Sequence, residues 1–174
     1  GALNLDGVND YVSVGTGPSV RGLTQYTLAT WVNLKAISTA TLYSESTPFS
    51  TFRLRFMVTS ATSIELSGRA QDSDPSRTLA ICTEGFTIAA GTWVHLTAIF
   101  DSVSDVHSIY VNGILCGTNR VAVDAISNTI PHNNNRIGSQ FNNVNWVNGR
   151  IDDMRIYNRA LTSAEVYAVF AATQ

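Results

Sequence analysis

The sequence has 174 residues, of which 44% are hydrophobic and 14% are charged, enough for one domain with a substantial core. Its 11 basic and 13 acidic residues give a formal net charge of −2, so no electrostatic footprint for nucleic acid is present. No apolar run approaches the roughly 20 residues needed to cross a bilayer, so we expect no membrane insertion. We predict a single domain over residues 1–174.

In three runs of the chain, residues 26–34, 52–58 and 92–101, every second side chain belongs to a mainly apolar set. The side chains between them would lie on the opposite face of a strand. A period of two with one apolar face indicates half-buried antiparallel strands. Trp31 and Trp93 fall on the face opposite the main apolar set. We expect them to have a packing role, and a ligand site on that sheet face is the alternative.

Later in the chain, Asn112-Gly113 stands between two apolar runs, which predicts a type I′ hairpin because both central residues need positive φ. One helix is predicted, over residues 161–172. Thr162 and Glu165 have the spacing of a capping box at its start. Its expected buried stripe is Val166, Val169 and Phe170. The predicted fold is all-β, a two-sheet antiparallel β-sandwich with one short C-terminal helix.

The two cysteines, Cys82 and Cys116, are too few to define a disulfide framework. They form a bridge if the fold brings their Cα atoms within roughly 4.4 to 6.8 Å of each other. The alternative is a pair of small buried apolar side chains. The sequence leaves both interpretations open.

Five stretches of the sequence occur in an order that resembles a known family. They are LNLDGVNDYVSV, YTLATWVNL, TWVHLTAIFD, IYVNG and NGRIDDMRIYNRALTSAEV. The chain is similar to the laminin-G-like, or concanavalin A-like, lectin-glucanase jelly-roll family, which includes pentraxin-related modules. The resemblance implies two antiparallel sheets of about six or seven strands each, with the two chain ends side by side. Residues 36 to 85 carry no recognisable match.

If the first and last strands are neighbours, their acidic stretches approach each other. The resemblance implies a calcium ion there, held by Asp6 and Asp152, because carboxylate and carbonyl oxygens are the ligands that calcium prefers. The weaker candidate ligands are Asn9, Asp10 and Asp153. The alternative is that these are ordinary turn residues or partners of Arg150 or Arg155 in surface ion pairs.

Catalysis is not expected. The glucanases of this superfamily carry their acid and nucleophile close together on one strand, since retaining hydrolysis needs two carboxyl groups about 5 to 5.5 Å apart. None of the four glutamates has that spacing: Glu45, Glu65, Glu84 and Glu165. The histidines His95, His107 and His132 form no zinc motif.

The candidate ligand-binding residues lie in the asparagine-rich segment SQFNNVNWVNG. Aromatic rings offer flat apolar platforms for a sugar, and amide side chains bind its hydroxyl groups. Trp146 is the expected platform, with Asn145, Asn143, Asn142 and Phe141 beside it. The alternative for Trp146 is a packing role in the core.

We therefore expect a non-catalytic module that binds carbohydrate or mediates adhesion, in an extracellular or surface protein. The partner would be a glycan or another surface protein. A structural module of a virion or fibre, without a sugar pocket, is the alternative, and it would form an oligomer. Because the sequence opens inside a strand pattern, we expect it to be a processed product or part of a longer chain.

Overall fold

The strands and the helix are described from a computed structural model, which covers residues 1–17, 19–47, 52–69, 77–123 and 132–173. These residues form twelve strands and one helix. They are β1 (Leu3–Asp6), β2 (Val12–Gly15), β3 (Gln25–Leu34), β4 (Ala40–Ser46), β5 (Phe52–Ser60), β6 (Ser63–Gly68), β7 (Arg77–Cys82), β8 (Val94–Asp101), β9 (Val106–Val111), β10 (Ile114–Arg120), β11 (Asn135–Ile137), β12 (Asn148–Tyr157) and α1 (Ser163–Ala172).

The strands pair into two antiparallel sheets of six strands each. Sheet A has the order β1-β12-β3-β8-β9-β10, and sheet B has the order β2-β11-β4-β5-β6-β7. The last strand of the chain, β12, therefore lies between β1 and β3. The predicted two-sheet sandwich is confirmed, and so is the predicted proximity of the terminal strands.

The core lies between the two sheets and is built by alternation along each strand. In β3, Leu28 and Val32 point into it, while Trp31 lies on the outer face of sheet A. In β8, Leu96 and Ala98 point inward in the same way. The largest fully buried side chains are Tyr26, Tyr43, Phe56, Phe100, Leu28, Leu34, Leu42, Leu54, Ile64, Leu66 and Leu79.

The predicted hairpin turn and the predicted helix start are both confirmed. Asn112 and Gly113 have φ values of 49° and 77°, as a type I′ turn requires. Thr162 caps α1, and its side chain and that of Glu165 form the reciprocal bonds of a capping box. A Cβ atom on Gly113 would lie 3.0 Å from the Phe170 ring, so the glycine also permits the close approach of α1.

The helix packs on the outer face of sheet A. Ile99 and Tyr110 from the sheet form a second apolar cluster with Leu161 and Val166. The chain before the helix is fixed by Thr27, whose hydroxyl donates to the Arg159 carbonyl and accepts the Leu161 N–H. Within the described ranges, no helix is long and apolar enough to cross a membrane.

Cys82 and Cys116 form a disulfide, with their Cα atoms 5.5 Å apart. Cys82 ends β7 at the edge of sheet B, and Cys116 lies in β10 at the edge of sheet A. The bridge therefore joins the two sheets along one side of the sandwich. Of the two interpretations that the sequence left open, the structure selects the disulfide.

We predict that the Cys82→Ala/Cys116→Ala double variant is less stable than the wild type by about 2–4 kcal/mol, because the bridge closes a long loop in the unfolded chain. This corresponds to a melting temperature that is roughly 5–15 °C lower, measurable by differential scanning calorimetry. A reducing agent should lower the melting temperature of the wild type and leave the double variant unchanged. Equal melting temperatures would contradict a stabilising role for the bridge.

His95 lies on the outer face of sheet A beneath Trp31 and Phe170, with ring centroids 5.3 and 5.9 Å away. It is 1% exposed. Among the described residues its Nδ1 has no hydrogen-bond partner. Burial in these surroundings lowers the pKa of His95 to about 4, so the ring is neutral at pH 7.

The depressed pKa of His95 predicts a loss of stability in acid. A buried neutral histidine favours folding above its unfolded pKa of about 6.5. That contribution decreases as the pH falls from about 6.5 to about 4. The wild type should lose on the order of 1–3 kcal/mol more than His95→Phe over this interval, measured by urea unfolding at each pH. Parallel pH profiles for the two proteins would contradict this.

Candidate functional site

An aromatic platform, formed by Tyr11, Trp146 and Arg136, lies at the β2–β11 side of sheet B. The ring centroids of Tyr11 and Trp146 are 5.9 Å apart, and the Arg136 guanidinium lies 4.2 Å from the centre of the Tyr11 ring. Tyr11 is 41% exposed and Trp146 is half-buried. The predicted platform residue thus has a second ring and a planar cation beside it.

The position of Arg136 follows from the register of β11. Arg136 pairs with Ser13 of β2 and with Ser44 of β4, while its neighbour Ile137 packs against the core. Because successive strand residues point to opposite faces, Arg136 points outward.

The loop between β11 and β12 holds the guanidinium of Arg136 in place. Its Nη1 donates to the Gln140 carbonyl and to Asn143 Oδ1, at 3.2 and 2.8 Å. Asn145 donates from Nδ2 to Gln140 Oε1 at 3.0 Å. Asn143 and Asn145 have φ values of 58° and 55°, a conformation that asparagine adopts more readily than most residues.

The other predicted ligand residues are therefore placed as follows. Asn143 and Asn145 shape the loop, and the exposed Asn143 keeps its N–H groups for a ligand. Asn142 is exposed and Phe141 is half-buried in the same turn. Within the described part of the chain, no ring contact joins Phe141 to Trp146. The sequence did not predict Tyr11, which lies inside the opening motif, or Arg136, which lies in a strand of three residues.

The outer face of sheet B also carries an arginine row, formed by Arg136, Ser44, Arg55 and Ser67 on successive strands β11, β4, β5 and β6. Burial lowers the pKa of the Arg55 guanidinium, nearby Glu65 raises it, and Arg69 lowers it again. Arg55, Glu65 and Arg69 therefore lie close enough to interact electrostatically. The two serines of the row, Ser44 and Ser67, are buried.

Trp31 and Trp93 lie on the other side of the molecule, near α1, and neither belongs to the main core. Trp31 packs beside Phe170, with ring centroids 5.7 Å apart. Trp93 precedes β8 and is 37% exposed. The expected packing role is therefore wrong for Trp93, because the strand begins only at Val94 and the preceding ring remains at the surface.

Asp6 and Asp152 do not meet, although their strands are neighbours. The antiparallel register places Asp6, the last residue of β1, opposite Asn148. Leu3, the first residue of β1, lies opposite Ile151. Asp152 therefore lies beside the start of β1, at the end away from Asp6. The expected meeting of the two carboxylates assumed adjacency of the strands without fixing their register.

The carboxylate of Asp6 instead binds its own turn. Its Oδ1 accepts the N–H groups of Val8 and Asn9 at 2.8 and 3.2 Å, and Asp10 Oδ2 accepts the N–H of Asp6 at 3.1 Å. The bonds from Val8 and Asn9 lower the pKa of Asp6. This is the turn role that the sequence analysis gave as the alternative for Asp6 and Asp10.

At the other end, Asp152 and Asp153 lie at a bulge between β12 and β3. Asp153 has a φ of 50°. Its carboxylate binds Arg155 through two contacts of 2.8 and 2.9 Å. Asp152 Oδ1 accepts the Asp153 N–H at 2.9 Å. Arg155 is therefore an ion-pair partner of Asp153, while Arg150 faces Asn4 and Asn33 in the register.

The described ranges contain no group of three or more His, Cys, Asp or Glu side chains placed to hold a metal ion. Calcium binding at Asp6 and Asp152, with Asn9, Asp10 and Asp153 as the weaker candidate ligands, stays a prediction.

The four glutamates are not placed as a catalytic pair. Glu45 is fully buried and accepts hydrogen bonds from Tyr43 and His132 at 2.8 and 2.7 Å. Glu165 caps α1 and binds Arg159. Glu65 lies on the outer face of sheet B, and Glu84 is exposed beyond β7.

We predict that Asp6→Ala lowers the melting temperature equally in EGTA and in calcium, because the lost partners are backbone N–H groups. Asp6→Asn should be milder, since it keeps an oxygen acceptor. Differential scanning fluorimetry in both buffers measures this. If the loss occurs only when calcium is present, a bound cation and not the turn explains the role of Asp6.

Comparison with known proteins supports this description of the fold. The protein is similar to the module CBM40 of the Ruminococcus gnavus IT-sialidase, which was solved with α2,6 sialyllactose. The two chains are 19% identical, and the TM-score is 0.81 over 97% of this chain and 96% of that one. It is also similar to domain 4 of AbnA, an extracellular arabinanase from Geobacillus stearothermophilus solved with arabinotriose, at 19% identity, with a TM-score of 0.71 over 97% and 75% of the chains.

A heptameric SAP-like pentraxin from Limulus polyphemus matches at 16% identity, with a TM-score of 0.71 over 99% of this chain and 82% of that one. No curated protein sequence matches the chain. A family model described as "Concanavalin A-like lectin/glucanases superfamily" matches residues 6–167, which is most of the sequence. The chain therefore belongs to the concanavalin A-like lectin/glucanase superfamily.

Proposed function

We propose that the chain is a carbohydrate-binding module without catalytic activity, and that its glycan lies on the aromatic platform. The observation that carries this proposal is the contact of Arg136 with the Tyr11 ring, 5.9 Å from Trp146. A sugar ring has an apolar C–H face that packs on an aromatic ring, and polar edges that need hydrogen bonds. The guanidinium and the Asn143 amide lie beside the rings to make those bonds.

Arg136 favours a glycan that carries a carboxylate, because its guanidinium is a permanent cation beside the two rings. Nε and Nη1 of Arg136 already donate to Asn134, Gln140 and Asn143. Nη2 is therefore the nitrogen that can donate to a carboxylate. An acidic sugar could therefore stack on the platform and place its carboxylate against Arg136.

The neighbours in structure support a glycan as the ligand, since one was solved with sialyllactose and another with arabinotriose. The Cys82–Cys116 bridge supports an extracellular or surface location, because disulfides persist in oxidising compartments. The separated glutamates support a role without hydrolysis.

The test is isothermal titration calorimetry with α2,3-sialyllactose, α2,6-sialyllactose and lactose. We expect the sialylated sugars to bind more tightly than lactose. Trp146→Ala and Arg136→Ala should each weaken that binding about tenfold. Tyr167→Ala removes a 57% exposed ring from α1 and should change nothing. Circular dichroism of each variant checks that the fold is retained.

The proposal would be contradicted if no binding were detected on a broad glycan array and the protein formed a defined oligomer in sizing chromatography. That result would favour the alternative, a structural module of a virion or fibre surface. Binding that survives both Trp146→Ala and Arg136→Ala would place the glycan elsewhere on the protein.

A further inference from the structure

A cleft lies on the outer face of sheet A, on the opposite side of the sandwich from the aromatic platform. It has a volume of about 790 Å³ and lies between β3, β12, the β9–β10 turn and the C-terminal end of α1. Three aromatic side chains line it: Trp31, Trp93 and Phe170. Sites for small ligands have volumes of about 300–1,000 Å³ and mostly apolar walls. We call this feature the helix cleft.

The inner wall of the helix cleft is fixed before any ligand arrives. Trp31 donates from Nε1 to Thr173 Oγ1 at 2.8 Å, and that hydroxyl in turn donates to the Val169 carbonyl at 2.8 Å. The neutral His95 ring packs against Trp31 and Phe170. A rigid wall lowers the ordering cost of binding.

The polar groups of the helix cleft include both donors and acceptors with unused capacity. Asn112 Oδ1 accepts the His95 N–H at 2.9 Å, so the N–H₂ group of this amide is left for a ligand. Asp152 uses Oδ1 for the Asp153 N–H, so its second oxygen is left as an acceptor. Asp153 is already neutralised by Arg155.

We propose that the helix cleft binds a neutral sugar residue, as a second glycan site of this module. The half-exposed Trp93 ring supplies the stacking surface, Asn112 donates to a sugar oxygen, and Asp152 accepts from a hydroxyl group. The proposal rests on the proposed function only in taking a glycan as the ligand, since no residue of the platform takes part.

The charge of the helix cleft decides the class of sugar. Asp152 lines it without an ion-pair partner among the described residues, so a carboxylate on the ligand would be repelled. An organic ammonium ion could contact the rings and Asp152, but an ammonium group has no acceptor for the N–H₂ group of Asn112. A neutral sugar matches the rings, the donor and the acceptor together.

The experiment screens the intact chain on an array of neutral glycans. The tightest of them is then titrated by isothermal titration calorimetry against the wild type, Trp93→Ala, Trp93→Phe and Asp152→Ala. We expect Trp93→Ala and Asp152→Ala to weaken binding about tenfold and Trp93→Phe to retain most of it. Val103→Ala, which truncates a 72% exposed side chain in the turn between β8 and β9, is the control and should leave neutral-sugar binding unchanged. Trp146→Ala is measured beside it to report any neutral sugar that binds at the platform.

Three results would overturn the inference. The first is that no neutral glycan binds. The second is that neutral-sugar binding is lost in Trp146→Ala and unchanged in Trp93→Ala, which would place every glycan on the platform. The third is that choline chloride binds to the wild type and not to Trp93→Ala, while neutral sugars do not bind, which would make the helix cleft a cation site. The platform is tested separately with sialyllactose, so either site can fail without the other.

Discussion

The burial of the two inner sheet faces against each other is the constraint on which the rest of this structure depends. Because strand side chains alternate between faces, each apolar residue that enters the core fixes an outward position for its neighbour. Leu96 in the core places His95 on the outer face of sheet A, and Ile137 against the core places Arg136 on the outer face of sheet B. The two candidate ligand surfaces are consequences of that alternation.

Glu45 is a charged residue inside a mainly apolar interior, and it helps to position the platform. Glu45 points inward at one end of the core, where it accepts the Val20 N–H and the hydroxyl groups of Ser19 and Tyr43. Burial and the charge of Glu45 raise the pKa of Tyr43, so its hydroxyl stays protonated and donates. A buried carboxylate needs such partners.

His132 also binds Glu45, at 2.7 Å, only three residues before β11 begins. This contact fixes the approach of the chain to the strand that carries Arg136. The platform is therefore supported from inside the sandwich as well as by its own loop.

The sequence predicted those features that local patterning decides. Alternation defined β3 and β8 within two residues, Asn112-Gly113 defined a hairpin, and the Thr162–Glu165 spacing defined the start of α1. The chain ends were correctly placed side by side because the resemblance to the family supplies the topology.

The features that the sequence did not predict depend on register and on contacts between distant segments. Asp6 faces Asn148 because the β1–β12 pairing runs from Leu3 opposite Ile151, and no local pattern encodes that offset. Strand β11 has three residues, too few to show alternation, so Arg136 gave no signal. The contact of Tyr11 with Trp146 joins residues from opposite ends of the chain, which is why only one of the two rings was identified.

The place of β12 in sheet A has a consequence for how the chain reaches this structure. Strand β12 is the last strand in the sequence, yet it lies between β1 and β3, which are the first and third. Until β12 arrives, β1 has no partner and one edge of β3 is open. During synthesis on the ribosome, sheet A therefore cannot close before nearly the whole chain has emerged. Folding that depends on such distant pairing is slow and leaves strand edges exposed in the meantime.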